Sequence, residues 1–442
     1  MNDLTIETKT NEVKETKLSS SRWLFLMCWL VYAAAYIARG NFSFARSLMM
    51  EEGIVDAGIA GIISAVYFIC YATGQIFSGI LADRKSPFVM VAVGLGVVAA
   101  SNIAMTIGGQ PAWILILWWG VNGLGQSMLW SPVFFIVSNV LHSKVKFTAI
   151  TLISVCTPAG KTSCALLSGL SLTSGKWESV FYMASFIIAL MLVIWVSIYL
   201  SVKKDVIVSR PKVKNKEAAL ADKEMSGMSF KSLIVASGML IALPALLIHG
   251  LFLNGITELI PSILTNEYDL SPSLSATMDS IIPILGVFGV FFCNFVYFKI
   301  CKRNELKCAS IIMGLNIIPV VIMLVLALSL RTGFLTGKIG DALIFVITYG
   351  LIYILQLGFG HVIISLAAMR YSRFGLAATT TGMLNAVNYG GSAIATYGMS
   401  YAVESLPLWQ TVLIWIACLA LAMVFLIIGQ RKWTRFSKKN FD

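Results

Sequence analysis

The sequence predicts an all-α membrane protein of twelve transmembrane helices, arranged as two pseudo-symmetric six-helix bundles. Of its 442 residues 58% are hydrophobic and 12% are charged, and the mean hydropathy is +0.83. A soluble domain is roughly a quarter charged, so this composition indicates a polytopic membrane protein. Apolar runs recur at close to the length of about 20 residues that a helix needs to cross a bilayer. A long polar interruption divides these runs into two sets of six.

The predicted spans follow the apolar runs in chain order, and short gaps between some runs leave a count of eleven open. They cover residues 23–46, 57–82, 87–107, 111–137, 147–173, 179–201, 234–264, 272–298, 308–330, 339–366, 376–402 and 407–429. The N-terminal bundle is therefore expected at 23–201 and the C-terminal bundle at 233–429. Residues 1–22 and 430–442 are predicted tails, and the first of them lacks the apolar core of a signal peptide. The polar stretch 202–232 is predicted to be a solvated linker.

The net charge of +12 reports topology rather than nucleic-acid binding. Of the 33 Lys and Arg residues, 27 lie in the tails, the linker and alternate loops. The positive-inside rule then predicts a multi-pass protein of the cell membrane with both termini in the cytoplasm.

Eight cysteines and three histidines are scattered without a metal-ligand spacing, so no metal or other cofactor is expected. There is no phosphate-binding P-loop and no polar segment long enough for an ATPase domain. These absences argue against an enzyme.

Arg39 is the first candidate binding residue, because it lies inside the first apolar run. An arginine within the membrane costs roughly 3 kcal/mol on insertion scales, which makes a functional role the default hypothesis. Tyr32 and Tyr36 precede it on the same helical face. Two phenols and a guanidinium facing one way are suited to binding a small anion. The alternative is a structural Arg39 paired with a buried carboxylate of another helix.

Lys161 is the second candidate cation, near the middle of the fifth predicted span. Thr157 and Ser154 precede it by one and two turns and extend a polar stripe. Pro158 and Gly160 permit local bending next to a wet cavity. Lys161 facing Arg39 would make a two-cation anion site, whereas the alternative is a lysine that neutralises a buried acid or extends to the membrane surface.

Further polar residues recur at helical spacing in three runs. They are Asn122, Gln126 and Trp130 in the fourth; Tyr349, Tyr353 and Gln356 in the tenth; and Asn385, Asn388 and Ser392, with Tyr389 beside them, in the eleventh. Single polar residues often only join membrane helices, at about 0.6 kcal/mol each. Several such faces from both halves favour a hydrated substrate cavity.

Three titratable residues are candidates for coupling. Asp279 and Glu258 are expected within the eighth and seventh spans, where either could pair with Arg39 or Lys161 or bind a proton. His249, also in the seventh span, is a further proton carrier or a hydrogen-bonded packing residue.

The segment GILADRKSP (79–87) follows the second span and resembles the loop signature of the major facilitator superfamily. Asp83 and Arg84 stand at the end of a helix, where they can cap neighbouring helix termini. The resemblance implies two six-helix bundles around a central cavity, with these residues gating its cytoplasmic side.

Longer segments resemble the organophosphate:phosphate antiporter family. YAAAYIARGNF (32–42) resembles its first-helix pattern, which implies that Arg39 is a phosphate ligand. Tyr71, twelve residues before Asp83, matches a tyrosine of the family. GLGQSMLWSP (123–132) keeps its Gln and Trp spacing at Gln126 and Trp130, and TTTGMLNAVNYGGS (379–392) keeps its pocket tyrosine at Tyr389.

The chain departs from this family at three places. The family's second phosphate-binding arginine, in the seventh helix, corresponds to Leu253. Its fifth-helix histidine corresponds to Thr157, and a second-helix lysine corresponds to Gln75.

The preferred prediction is a secondary active transporter of a small organic anion, an organophosphate or a carboxylate, that works by alternating access. Exchange for phosphate is implied by the resemblance, and coupling to protons is the rival. The expected partners are the anionic substrate and membrane lipids, with no nucleic acid, and the chain is expected to be a monomer. Two alternatives remain: a proton-coupled exporter of amphipathic compounds, and a transporter-like sensor of sugar phosphates.

Overall fold

Helices account for all the regular secondary structure of the described residues in the computed structural model. The structure describes residues 16–206, 230–257, 260–270, 272–332 and 339–440. Its helices group into segments that follow the predicted apolar runs, and we number these segments accordingly. The predicted linker falls mostly outside the described residues.

The N-terminal half contains the first six segments. They are Leu18–Glu51, Ala57–Arg84, Pro87–Met105, Ala112–Asn139, the pair Ser143–Ile153 and Cys156–Leu172, and Glu178–Val202.

The C-terminal half contains the segments numbered seven to twelve. The seventh comprises Phe230–Ser237, Met239–Gly250, the π-helical turn Leu251–Ile256 and Ile260–Tyr268; the eighth is Pro272–Phe295 with the π-helical turn Val296–Ile300; the ninth is Glu305–Leu315 with Ile317–Arg331; the tenth is Ile339–Gly360, the π-helical turn His361–Ala367 and Ala368–Arg370; the eleventh is Ala377–Ser405; and the twelfth is Leu408–Asn440.

Membrane spans are supported for most of these segments by length and composition. Among the described residues eight helices are long and apolar enough to cross a membrane, and ten are if each of two bent pairs is one span. The fourth and eleventh segments have 28 and 29 residues, which is long enough, but they carry more polar residues. The all-helical membrane fold is therefore confirmed, and the count of twelve spans stays a prediction.

The fifth segment bends by 44° between Ile153 and Cys156. Pro158 explains where the bend lies, because a proline ring clashes with the carbonyl group four residues earlier, here that of Ser154. The seventh segment turns by 83° at Gly238, whose φ of +79° suits a glycine.

Contacts near the two ends of the described chain define one side of the bundle, which we call the terminal side. Lys17 forms an ion pair with Asp205 at 2.7 Å, and Arg373 donates a hydrogen bond to the carbonyl oxygen of Asn440. The twelfth helix thus continues past the predicted span end at residue 429 and packs against this side of the C-terminal half.

Glu305 is a fully buried carboxylate at the terminal side of the C-terminal half. Its Oε1 accepts hydrogen bonds from Arg370 Nε at 2.8 Å and from the Tyr297 hydroxyl at 2.7 Å, and its Oε2 accepts one from Trp433 Nε1 at 3.0 Å. These bonds compensate the cost of burying the charge and fix the twelfth helix in place.

Candidate functional site

A cavity lies between the two halves and is lined by residues of both. The N-terminal half contributes Tyr32, Tyr36, Trp130, Ser154 and Thr157, and the C-terminal half contributes His249, Leu253, Asn254, Leu357, Gly360, His361, Ile364, Ser365, Asn385, Asn388 and Tyr389. Among the described residues the lining holds no Lys, Arg, Asp or Glu. The cavity wall is therefore polar and aromatic rather than charged.

Arg39 lies behind this wall in a cage of tyrosines. Its guanidinium carbon is 4.5 Å from the ring centres of Tyr36 and Tyr71 and 5.3 Å from that of Tyr389. Nη1 donates a hydrogen bond to the Tyr389 hydroxyl, which joins the first segment to the eleventh. The aromatic faces stabilise the cation without neutralising it.

The other guanidinium donors of Arg39 are unused. Nε and Nη2 are buried and have no hydrogen-bond partner among the described residues. No described carboxylate forms an ion pair with Arg39; Glu258 lies outside the described residues, and the structure describes the backbone but not the side chain of Asp279. Two buried guanidinium nitrogens without described partners are chemically able to donate hydrogen bonds to an anion.

Tyr36 links Arg39 to the cavity. Its hydroxyl accepts a hydrogen bond from Thr157 Oγ1 at 3.0 Å, while its ring contacts the guanidinium. Tyr32 packs against Tyr36 at 5.5 Å and against Trp130 at 4.7 Å between ring centres. Three predicted aromatic residues thus form one continuous wall beside Arg39.

Lys161 lies away from the cavity lining. Its ammonium group is 5.7 Å above the ring centre of Tyr353 in the tenth segment. Lys161 also interacts electrostatically with Tyr36, whose ring contacts Arg39. A shared two-cation site stays a prediction. The neighbouring Gly160 allows close packing, because a side chain there would overlap the Ala33 carbonyl oxygen and Tyr36.

Gln126 joins helices within the N-terminal half. It is fully buried, and its Nε2 donates to the carbonyl oxygen of Ala35 at 2.9 Å; Asn122 donates likewise to Ala38 at 3.0 Å. Gln75, where the family has a lysine, donates to Ser127 and accepts from Ser131. These amides fix the first, second and fourth segments against one another.

The eleventh segment carries the C-terminal half's contribution to the site. Asn385, Asn388 and Tyr389 all line the cavity. Trp130 Nε1 also donates to Thr381 Oγ1 on this segment at 3.0 Å, so it connects the two halves.

Two histidines line the cavity and differ in the hydrogen bonds of their ring nitrogens. His249 Nδ1 lies 2.8 Å from Gln356 Oε1, and its Nε2 has no hydrogen-bond partner among the described residues. His361 uses both nitrogens, with Nδ1 at 2.9 Å from Ser154 Oγ and Nε2 at 3.2 Å from Asn294 Oδ1.

The His361 network was not predicted from the sequence. Asn294 Nδ2 donates to Thr151 Oγ1 at 3.1 Å, so two residues of the fifth segment are tied to the eighth and tenth. Tyr67, near Arg39 in the second segment, was missed as well, although it precedes Tyr71 by one helical turn. That spacing was the available signal.

Asp83 connects the two halves at the terminal side of the site. Its carboxylate accepts hydrogen bonds from the backbone N–H groups of Ala378, at 3.1 Å, and Thr379, at 2.6 Å, in the first turn of the eleventh helix. A negative charge is stabilised at the positive end of a helix dipole. Arg84 is exposed beside it. The second segment is thus joined to the opposite half.

Replacing Asp83 should open the terminal side. We expect Asp83→Asn to shift the population of open molecules about tenfold, because about 1–2 kcal/mol of charge–dipole and hydrogen-bond stabilisation is lost. Spin labels on cysteines replacing Lys144 and Lys302, one in each half, would measure the separation by double electron–electron resonance. Asp205→Asn is the control, since Asp205 pairs with Lys17 inside one half. Identical distance distributions for Asp83→Asn and the unsubstituted protein would contradict the gating role.

Comparison with known proteins places these features in a family. The family model described as Major Facilitator Superfamily matches residues 28–396. The chain is 24% identical over 420 residues to the glycerol-3-phosphate transporter of Bacillus subtilis, covering 92% of this chain and 91% of that protein.

Other relatives match over shorter stretches. A probable hexose phosphate transport protein of Chlamydia trachomatis is 24% identical over 168 residues, which cover 38% of this chain and only 37% of that relative's length. The membrane sensor protein UhpC of Salmonella typhimurium is 28% identical over 112 residues, 25% of each chain.

A solved structure supports the fold alone. The proton:xylose symporter XylE, of the major facilitator superfamily, aligns with a TM-score of 0.67 at 12% identity, over 92% of this chain and 95% of that chain.

Proposed function

The chain belongs to the major facilitator superfamily, and we propose that it is a secondary active transporter of phosphorylated organic anions, with Arg39 as the anion-binding residue. The observation that carries this proposal is the caged guanidinium, buried between the halves with Nε and Nη2 unused. Phosphate oxygens accept hydrogen bonds from such a planar fork more favourably than a neutral ligand does.

Polar residues of the cavity lining are suited to the rest of the ligand. Tyr36, Thr157 and Tyr389 line the cavity next to Arg39, and Asn385 and Asn388 line it beside Tyr389 on the eleventh segment. Amides and hydroxyls are suited to the hydroxyl groups of a sugar or polyol. The similarity to the glycerol-3-phosphate transporter over most of the chain supports this substrate class.

Contacts between the halves support a mechanism of alternating access. The Asp83 and His361 contacts hold the terminal side closed in this conformation, and we assign that side to the cytoplasm from the distribution of basic residues. Transport requires these contacts to break and re-form around the central site.

The test is exchange in proteoliposomes loaded with inorganic phosphate. We expect uptake of labelled phosphate that glycerol 3-phosphate and glucose 6-phosphate inhibit, and that glycerol, glucose and lipophilic cations do not. Absence of exchange from correctly folded protein would overturn the proposal. Binding of organophosphates without exchange would instead favour a sensor, which is the role named for the relative UhpC.

A further inference from the structure

His249 lines the cavity and has an unpaired ring nitrogen. The residue is fully buried, and its Nε2 has no hydrogen-bond partner among the described residues. The ring lies against Gly360, where a side-chain carbon would come within 2.9 Å of Nε2. Phe359 packs against it with ring centres 5.0 Å apart. The imidazole is therefore held in one orientation at the cavity wall.

Gln356 determines the tautomer of the neutral His249 ring. Its Oε1 lies 2.8 Å from Nδ1 and accepts a hydrogen bond from it. The neutral imidazole carries one N–H, so its lone pair is on Nε2, the nitrogen that lies beside Gly360 of the cavity lining. This lone pair repels an anionic oxygen. After Nε2 gains a proton, its N–H group attracts the same oxygen.

We propose that His249 is the second anion-binding group of the site, and that it acquires its charge together with the ligand. A dianionic phosphate group entering the cavity favours uptake of a proton by Nε2 from the acid form of the buffer in the solvent, which is left as its conjugate base. Nε2 then donates a charge-assisted hydrogen bond to a phosphate oxygen. This inference rests on the proposed function. It places the second cation one turn before Leu253, where the organophosphate family has its arginine.

The surroundings single out His249 among the titratable groups. His361, on the tenth segment, has both nitrogens engaged with Ser154 and Asn294. Tyr389 on the eleventh segment and Tyr32 and Tyr36 on the first are the phenols that line the same cavity.

The charged neighbours stand further back. Arg39 is behind Tyr36 and Tyr389, and Lys161 is over Tyr353. The twelfth segment, which also packs on the seventh, has no Lys, Arg, Asp or Glu before Arg431. Among the described residues, His249 is thus the ionisable cavity group with a nitrogen that has no hydrogen-bond partner.

Proton uptake on phosphate binding tests the inference. We would titrate the purified full chain with inorganic phosphate at pH 7.5 by calorimetry, in two buffers of different ionisation enthalpy. The ionisation of phosphate itself is common to all variants. We expect His249→Gln to take up about one proton fewer per phosphate than the unsubstituted protein. Its binding should be roughly tenfold weaker at pH 6 and should depend less on pH.

Two further variants keep the test decisive. Gln356→Glu leaves His249 in place but pairs it with a carboxylate, so the ring is already charged and proton uptake should also fall. His142→Gln, at the histidine that precedes the fifth segment and is not among the cavity-lining residues, is the control and should leave proton uptake unchanged. Equal proton uptake by His249→Gln and the unsubstituted protein would overturn the inference alone. Absence of phosphate binding and exchange in the unsubstituted protein would overturn the proposed function with it.

Discussion

Arg39→Gln is expected to lower phosphate affinity on the order of 100-fold while leaving the protein folded. Hydrogen bonds to a charged group contribute about 1.5–3 kcal/mol each, and Arg39 has two unused donors for the ligand. Glutamine keeps a polar side chain but loses the charge. The phosphate affinity of Arg39→Lys should lie between those of the unsubstituted protein and Arg39→Gln, because an ammonium group keeps the charge but not the planar fork of donors. Equilibrium binding of labelled phosphate to purified protein measures both effects.

The thermal stability of the same variant separates a binding role from a structural one. Replacing Arg39 removes its hydrogen bond to Tyr389 and its aromatic contacts, but it also removes a charge that no described carboxylate neutralises, so the melting temperature should change little. Loss of a structural arginine would lower it. Arg46→Gln, two turns along the same helix, is the matched control and should change neither property. Loss of stability in parallel with binding in Arg39→Gln would contradict the binding role.

Gly391→Ala should produce a large loss of stability. A side-chain carbon at position 391 would overlap the carbonyl oxygen of Leu247, and one at Gly250 would overlap that of Asn388. The seventh and eleventh segments therefore touch through their backbones, which cannot move aside as a flexible side chain could. We expect a cost of about 3 kcal/mol and a melting temperature lower by roughly 5–10 °C.

The adjacent glycine supplies the control. Nothing lies within 4 Å of a side-chain carbon built at Gly390, so Gly390→Ala should be neutral or slightly stabilising, because alanine favours a helix. Thermal unfolding of the two variants followed by size-exclusion chromatography gives the comparison. Equal melting temperatures for Gly390→Ala and Gly391→Ala would show that the two segments are less closely packed than described.

The sequence predicted those parts of the fold that depend on local chemistry. Apolar run lengths and polar interruptions located the helices, since each must satisfy its own backbone in the membrane. Pro158 predicted a bend in the fifth segment, and the bend lies four residues earlier because the proline affects the preceding carbonyl group. Gly160 was assigned to bending, whereas it allows contact with the first segment.

Contacts between distant helices could not be predicted in this way. Gln126 and Trp130 lie one turn apart on one helix. The Gln126 amide donates a hydrogen bond within its own half, whereas the Trp130 indole donates one to Thr381 of the other half. Which of these faces the cavity depends on how the fourth segment is rotated against its neighbours, and periodicity alone does not give that rotation. Lys161 was expected to face Arg39, and periodicity did not predict its position over the ring of Tyr353 in the tenth segment.

The most direct test of the central claim is phosphate exchange in proteoliposomes that contain the unsubstituted protein, Arg39→Gln or Arg46→Gln at equal density. An anion-binding role for Arg39 predicts exchange by the unsubstituted protein and by Arg46→Gln, and none above protein-free liposomes by Arg39→Gln. Exchange by Arg39→Gln at the rate of the unsubstituted protein would contradict the claim.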